Sequence, residues 1–289
     1  MINSPLNYTG NKFRVLKQII PLLNSDKDII CDIFCGSGLV ALNSNYKKMV
    51  MNDNFKEIIE IIEMFINKDS EQIIKEVDKI INKYSFTDTF RKGGKIYPEL
   101  QHEGLSKFNK IPFLKLKNEY SNKKSPILLF ALTIFSFNHY IRFNGSGVYN
   151  LPVGKVDFSK SLREKTKKYS EALKTKKITL SNKDFRDRTL YKKDALYYFD
   201  PPYLITSAPY NTEWDINKEK ELLELLNELD MNGKKFALSN VLRSNGKENS
   251  LLIKWSKKYN VHKIHRKYTN SNYQKKNLSE AEEVLITNY

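Results

Sequence analysis

The sequence predicts an α/β fold in which one sheet is formed by both ends of the chain and a mainly helical domain is inserted between them. Near the amino end, short apolar runs alternate with segments of helical spacing, and this alternation is typical of a βαβ unit. From about residue 68 to residue 175 charged helical segments replace the strand signals, which then return. We therefore expect residues 1–66 and 176–289 to form one domain and residues 67–175 to form a second.

The amino-terminal part of the sheet domain reads as an alternation of helices and strands. Residues 12–23 carry apolar side chains at helical spacing, which predicts a first helix. Residues 29–34 form a short apolar run that ends in a glycine turn, as a buried parallel strand does. Residues 39–45 then predict a helix, residues 48–51 a second strand and residues 55–65 a further helix.

The inserted segment and the carboxyl-terminal part complete the predicted architecture. The insert contains a basic loop at residues 91–95 and a helix at residues 126–140, followed by a Gly/Asn-rich loop at residues 142–156. Helices are expected at residues 218–229 and 248–258. Further strands are expected at residues 178–180, 195–199, 235–238, 262–265 and 284–287.

The composition indicates a cytoplasmic protein with a polyanionic partner. The 289 residues carry a formal net charge of +16, and the isoelectric point is near 9.5. Cys31 and Cys35 form no disulfide framework and match no zinc spacing, so we expect a reducing compartment and no metal. Residues 1–11 lack the apolar core of a signal peptide. No apolar run reaches the ~18 residues of a membrane span.

A glycine turn follows the first predicted strand, where residues 32–38 read Asp-Ile-Phe-Cys-Gly-Ser-Gly. With Ala41, the two glycines Gly36 and Gly38 match the pattern of a dinucleotide-binding turn, although a structural strand–helix turn has the same glycines. The next strand is followed by Asp53, at the place where an acid can bind ribose hydroxyls. Together these residues favour a nucleoside-containing cofactor over a structural turn.

The tetrapeptide Asp200-Pro201-Pro202-Tyr203 follows a later strand. An amino group on an aromatic ring is a poor nucleophile. The Asp200 carboxylate and the Pro201 carbonyl can accept its two N–H hydrogens. The prolines keep the turn rigid, and Tyr203 offers a flat face on which a base can stack, for roughly 1–3 kcal/mol. A bare strand end with a proline turn is the alternative. A nicotinamide enzyme has no evident use for this motif, whereas an S-adenosylmethionine enzyme does.

Segments in a fixed order carry a resemblance to a known family. They are Asn7-Tyr8-Thr9-Gly10-Asn11-Lys12, residues 32–38, Asp53 and residues 200–203. In this combination the chain resembles the Dam-type DNA adenine methyltransferases, which are alpha-class amino-methyltransferases. The likeness continues through residues 141–144, 152–155, 236–241 and 246–249, and it is weakest over roughly 66–125. It implies a Rossmann-like methyltransferase sheet that binds S-adenosylmethionine and a helical insert that recognises DNA.

The resemblance also implies roles for individual residues. The residues expected to bind the cofactor are Tyr8, Lys12, Phe34, Gly36, Gly38, Asp53 and Asp200. The catalytic residues would be Asp200, Pro201, Pro202 and Tyr203. The residues expected to contact DNA are Arg142, Asn144, Pro152 and Lys155. The guanidinium of Arg142 could bond guanine O6 and N7 together, or it could contact a phosphate.

The implied activity is transfer of a methyl group from S-adenosylmethionine to the N6 amino group of adenine in double-stranded DNA, within GATC. The adenine would be flipped out of the duplex before transfer. A cognate restriction endonuclease is an expected partner if the chain belongs to a restriction–modification system, and we expect a monomer or a weak dimer.

Three alternatives stay open on the sequence. The first is an RNA adenine or protein glutamine methyltransferase, although such enzymes more often carry Asn before Pro-Pro and lack the large basic insertion. The second is a dinucleotide oxidoreductase, which only the glycine turn and Asp53 support. The third is a DNA-binding protein without activity, which the intact Lys12, Asp53 and Asp-Pro-Pro-Tyr set disfavours.

Overall fold

The structure is a computed structural model, which describes residues 1–8, 10–94, 97, 104–206, 214–265 and 281–289. It confirms the α/β class, because a single sheet of mostly parallel strands is flanked by helices. The strands of the described residues are β1 (Ile29–Asp32), β2 (Lys48–Asn52), β3 (Lys177–Ser181), β4 (Leu196–Phe199), β5 (Lys235–Ser244), β6 (Lys247–Glu248), β7 (Asn260–Ile264) and β8 (Glu282–Thr287).

The α-helices of the described residues are α1 (Leu16–Leu22), α2 (Leu39–Asn43), α3 (Lys56–Asn67), α4 (Ser70–Tyr84), α5 (Thr89–Lys92), α6 (Ser106–Lys123), α7 (Pro126–Phe135), α8 (Lys160–Lys174), α9 (Ile216–Met231) and α10 (Ser250–Ser256). Short 3-10 helices lie at Phe13–Val15, Phe137–His139 and Arg188–Tyr191. In this described part of the chain, no helix combines the length and the apolar character that crossing a bilayer requires.

The strands lie in the order β3-β2-β1-β4-β5-β8-β7, and β6 pairs with β5. The first five strands pair in parallel, whereas β8 is antiparallel to both β5 and β7. The strand order changes direction at β1, which has β2 on one side and β4 on the other. In such sheets ligands bind outside the carboxyl ends of the strands at this switch point. The loops after β1 and β4 are therefore the places to look for a site.

The sheet belongs to a compact unit that consists of Lys12–Asn54 and Lys177–Tyr289. All four residues of β4 are buried, as expected of a central parallel strand that is covered on both faces. One face of the sheet packs on α9, whose Leu222 and Leu226 join Phe199 and Phe236 in the hydrophobic core. This packing holds the end of β4, and hence the start of the Asp-Pro-Pro-Tyr motif, in a rigid part of the unit.

A second compact unit is mainly helical and consists of Met1–Asn11 and Phe55–Lys176. It includes α3, whereas the sequence predicted that this helix would end the sheet domain. The reason is its packing: the ring of Phe65 in α3 lies 5.1 Å from that of Phe130 in α7 and 5.2 Å from that of Tyr169 in α8. The boundary between the compact units therefore lies after Asn54 rather than after residue 66.

Two elements end five or more residues away from their predicted ends. The helix expected at 126–140 ends at Phe135, because Ser136 is extended and both Asn138 and His139 have positive φ angles, 55° and 57°. Strand β5 continues through ten residues instead of ending at 238. Its polar residues Ser239 and Asn240 are buried and pair with β8, so hydrophobicity alone did not reveal the second half of the strand.

Candidate active site

Asp200 directly follows β4, and its carboxylate forms an ion pair with Lys12. The Lys12 Nζ donates to both carboxylate oxygens, at 2.6 and 2.7 Å. Lys12 is buried, and the Asp200 side chain keeps 17% of its surface exposed. Two residues that the sequence assigned to one site, 188 positions apart, are thus in direct contact. The carboxylate is held at the carboxyl edge of the sheet with part of its surface accessible.

Tyr203 and Glu283 complete a four-residue cluster with this pair. The Tyr203 hydroxyl lies 3.0 Å from Asp200 Oδ1 and 3.4 Å from Glu283 Oε1. Lys12 Nζ lies 3.8 Å from Glu283 Oε1 and 5.0 Å from the centroid of the Tyr203 ring. Burial, and then the negative charges of Asp200 and Glu283, hold the pKa of Tyr203 well above its ordinary value. Tyr203 therefore keeps its proton and acts as a donor to the carboxylates.

The two prolines of the motif occupy the same turn. Pro201 is buried and Pro202 is half-buried. Proline supplies no N–H and has a fixed φ, so this turn offers carbonyl acceptors on a stiff backbone. The combination of a carboxylate, adjacent carbonyls and a tyrosine suits recognition of an amino group on a planar ring.

The glycine turn after β1 has the left-handed backbone that its sequence predicted, with φ angles of 50° at Gly36 and 69° at Gly38. The Gly36 N–H donates to Asp53 Oδ2 at 2.8 Å. A Cβ atom at Gly38 would lie 2.8 Å from the Sδ of Met51 in β2. The backbone angles therefore favour glycine at 38, and a larger residue there would also have to displace the Met51 side chain.

Two asparagines, the buried Asn52 and the exposed Asn182, tie the loops around Asp53 together. Asn52 donates to the carbonyls of Ile33 and Lys183, both at 2.9 Å, and so links the ends of β1, β2 and β3. Asn182 donates to the carbonyl of Asp53 at 2.8 Å. These bonds fix the Asp53 carboxylate next to the glycine turn, so the structure brings together Gly36, Gly38 and Asp53 as predicted.

Asp32 is a buried acid for which the sequence predicted no role. It is 1% exposed, and its Oδ1 atom has no hydrogen-bond partner among the described residues. Burial, and then the charge of Asp200, raise the pKa of Asp32 well above its ordinary value; Asp53 adds to this and Lys12 opposes it. Asp32 is thus electrostatically coupled to Asp53 and Asp200, and Asp200 shares Lys12 with Glu283. These four acids form an acidic site in a chain whose net charge is +16.

Phe34 lies in the glycine turn and is held by aromatic neighbours. Its ring is 5.6 Å from Phe185 and 5.8 Å from Trp214, the second contact being edge-on. Phe34 is only partly buried, whereas Phe185 and Trp214 belong to the core. The ring therefore has a fixed position at the end of β1.

The residues expected to contact DNA lie in the helical unit, in the segment that follows α7. Phe143 and Tyr149 pair as an antiparallel bridge and form a short hairpin. Arg142 is exposed, and its guanidinium donates to the side chain and the carbonyl of Asn150, at 2.8 and 3.2 Å. The Asn144 Oδ1 atom accepts from the N–H groups of Ser146 and Val148, at 3.1 and 2.9 Å, so it shapes the hairpin tip.

Three other predicted residues also belong to the helical unit. Pro152 and Lys155 are exposed, and their carbonyls accept backbone hydrogen bonds from Phe137 and Leu105. Tyr8 is half-buried, and its carbonyl accepts from the Asn11 N–H at 3.2 Å.

Comparison with known proteins identifies the family. Residues 8–270 match the model of the D12 class N6 adenine-specific DNA methyltransferases. The chain belongs to this D12 class. The type II methyltransferase M.FokI of Planomicrobium okeanokoites is 36% identical over 298 residues, and the modification methylase StsI of Streptococcus sanguinis is 33% identical over 300 residues. Both alignments cover the whole D12 chain and 43% of the relative, so the chain spans less than half the length of these curated relatives.

The D12 chain is more distant from the DNA adenine methylases. That of Haemophilus influenzae is 24% identical over 201 residues, which are 68% of the D12 chain and 63% of that protein. The resemblance drawn from the sequence is thus confirmed for the class of DNA adenine methyltransferases, with type II methylases as nearer relatives than the Dam-type proteins. The family does not favour the RNA adenine or protein glutamine alternatives.

Several residues of the D12 site had no role in the sequence-based prediction: Asp32, Asn52, Asn182 and Glu283. Glu283 directly precedes the apolar run Val284-Leu285-Ile286, and the predicted strand began one residue too late to include it. An acid next to such a run was the available signal. Asn52 could have been noticed because it lies beside Asp53 in the sequence. Asn182 is recognisable as a neighbour of Asp53 only from the pairing of β3 with β2.

Proposed function

We propose that this chain transfers a methyl group from S-adenosylmethionine to the N6 amino group of an adenine in double-stranded DNA. The observation that carries the proposal is the placement of Asp200. Its partly exposed carboxylate is fixed by Lys12 and Tyr203 at the switch point of the sheet, beside the glycine turn. Membership of the D12 class supports adenine and DNA as the chemistry of the target.

The charge of the site suits S-adenosylmethionine. That cofactor supplies a methyl group on a positively charged sulfonium and also carries an ammonium group. The buried Oδ1 of Asp32, which has no hydrogen-bond partner among the described residues, suits a donor. The carboxylates of Asp53 and Asp200 suit a cation. Asp53 would hold the ribose hydroxyls, and Phe34, Gly36 and Gly38 would line the pocket. Lys12 and Tyr8 are proposed as further contacts.

Asp200 and Pro201 would act on the target amine. The Asp200 carboxylate and the Pro201 carbonyl accept its two N–H hydrogens, which turns the nitrogen lone pair away from the ring. Asp200 is then placed to take the proton that the methylated nitrogen releases. Fixing the amine in line with the methyl group supplies the orientational part of catalysis. Pro202 keeps the turn rigid.

Extruding an adenine from the duplex costs a few kcal/mol. Stacking on the Tyr203 ring would offset this by roughly 1–3 kcal/mol. The exposed hairpin of the helical unit would bind the DNA, with Arg142 and Asn144 at base edges or phosphates and Pro152 and Lys155 beside them. A net charge of +16 favours association with this polyanion.

We further propose GATC as the recognition site, on the basis of the Dam-type resemblance, and a cognate restriction endonuclease as a partner. The names of the relatives, a type II methyltransferase and a modification methylase, support the second point. A chain that acts as a monomer or weak dimer in the cytoplasm is consistent with these roles.

The experiment is to express the protein in a methylation-free host and to sequence the modified bases of a resident plasmid. N6-methyladenine at one short site, absent with Asp200→Ala, would support the activity and reveal the site. An equal signal from Asp200→Ala, with DNA affinity unchanged, would exclude the proposed role of Asp200. Absence of the modified base with the wild-type chain would reject the function. A tritiated-methyl assay that compares duplex DNA, RNA and protein completes the test of substrate class.

A further inference from the structure

Glu283 is a buried carboxylate that touches the methyl-transfer site without belonging to its motif. It lies in β8, where Val284 and Ile286 face the hydrophobic core on the other side of the strand. Glu283 itself is 2% exposed. Burying a carboxylate costs several kcal/mol unless charged or hydrogen-bonding partners compensate. The groups beside Glu283 must therefore compensate the cost of burying its carboxylate.

Those groups include the same two donors that hold Asp200. Lys12 Nζ lies at 2.6 and 2.7 Å from the two Asp200 oxygens and at 3.8 Å from Glu283 Oε1. The Tyr203 hydroxyl lies at 3.0 Å from Asp200 Oδ1 and at 3.4 Å from Glu283 Oε1. Both donors thus lie between the two carboxylates, and both are nearer to Asp200.

This arrangement conflicts with the proposed task of Asp200. Both of its oxygens already accept hydrogen bonds from Lys12, and Oδ1 also accepts from Tyr203. A carboxylate that is neutralised by a lysine is a weaker acceptor for the target amine. A displacement of Lys12 Nζ by about 1 Å toward Glu283 would create a second charge-assisted hydrogen bond of normal length, about 2.8 Å.

We propose that Glu283 is a positioning residue that takes the Lys12 ammonium from Asp200 when Asp200 engages the target amine. The inference rests on the function proposed above and assigns a part of its site. Glu283 keeps the lysine charge paired throughout the exchange, so the lysine does not have to stay on Asp200. The Tyr203 hydroxyl can change partner in the same way, because it can donate its single proton to either carboxylate.

The test uses Glu283→Gln in the full chain, with Glu282→Gln as the matched control. Glu282 is the neighbouring residue of the same strand, and it pairs instead with Arg243, at 2.7 Å, and Lys263, at 3.5 Å. Single-turnover methyl transfer to unmethylated plasmid DNA is measured with both substrates saturating. Calorimetry with S-adenosylhomocysteine and thermal unfolding report on binding and folding without turnover.

We expect Glu283→Gln to slow transfer by about tenfold or more, as loss of an electrostatic positioning group does. Its affinities for S-adenosylhomocysteine and DNA should stay close to wild type. Glu283→Asp should recover part of the rate, because it restores the charge, and it serves as the second variant if the glutamine chain folds poorly. Glu282→Gln should transfer at the wild-type rate.

Two results would overturn the inference: a wild-type transfer rate in Glu283→Gln, or a loss of S-adenosylhomocysteine affinity as large as the loss of transfer rate. The second would make Glu283 a ligand of the cofactor. Both differ from failure of the proposed function, in which the wild-type chain itself would transfer no methyl group to DNA.

Discussion

Among single residues, Asp32 links the stability of the sheet unit to pH. Its carboxyl is buried, and the pKa is raised first by burial and then by the charge of Asp200. The folded chain therefore keeps this proton over a pH range in which the unfolded chain, with a pKa of about 3.9, has lost it. Because the folded state binds the proton more tightly, the free energy of unfolding falls as pH rises above about 4.

Asp32→Asn removes this titration. The variant should lose less unfolding free energy than the wild type between pH 5 and pH 8. Urea denaturation at both pH values measures the difference. Parallel pH dependence in the two proteins would show that Asp32 does not keep its proton on folding. Under the proposed function the same variant should also bind S-adenosylmethionine more weakly.

Arg142 and Asn150 give a second prediction at this scale. Because Asn150 holds the guanidinium by two hydrogen bonds, its role would be to aim Arg142 at a base edge. Arg142→Ala should relax sequence specificity more than it lowers the salt dependence of DNA binding. Asn150→Ala keeps the charge and should relax specificity without changing the salt slope. Equal weakening on every DNA sequence would identify Arg142 as a phosphate contact.

At the scale of elements, the segment after α7 is held by close backbone packing. Ser136 pairs with Val153, and the Gly154 N–H donates to the Phe135 carbonyl at 2.7 Å. A Cβ atom at Gly154 would lie 2.5 Å from the Ser136 carbonyl oxygen, whereas one at Gly145 in the hairpin tip would meet nothing within 4 Å. Gly145 in the hairpin tip and Gly154 after the hairpin therefore differ in their tolerance of a methyl group.

Gly154→Ala should lower the free energy of unfolding by about 1–3 kcal/mol, because the clash is with backbone that must shift. Gly145→Ala should change it by no more than about 0.5 kcal/mol. Chemical denaturation followed by circular dichroism compares the two variants. If they lose the same amount, the close approach at Gly154 does not contribute to stability.

For the whole molecule, the sequence predicted the arrangement of the sheet better than the partners within the site. Apolar runs and glycine turns were enough to predict a sheet built from both ends, and the family resemblance was enough to assign Lys12 and Asp200 to one site, where the structure shows them in contact. The partners of Glu283 and Asn182 could not be predicted, since they depend on the order and register of strands far apart in the chain. Asn138 and His139 ended a helix that periodicity alone would have continued.

The position of β8 also bears on how this protein is made. The cluster draws Lys12, Asp200 and Glu283 from the beginning, the middle and the far end of the sequence, and β8 inserts between β5 and β7. A chain still on the ribosome can pair β1 to β5 while residue 283 lies in the exit tunnel. Lys12 then has Asp200 beside it but not Glu283. Assembly of the complete cluster must therefore follow translation of β8, so a nascent fragment that ends before β8 lacks the carboxylate of Glu283.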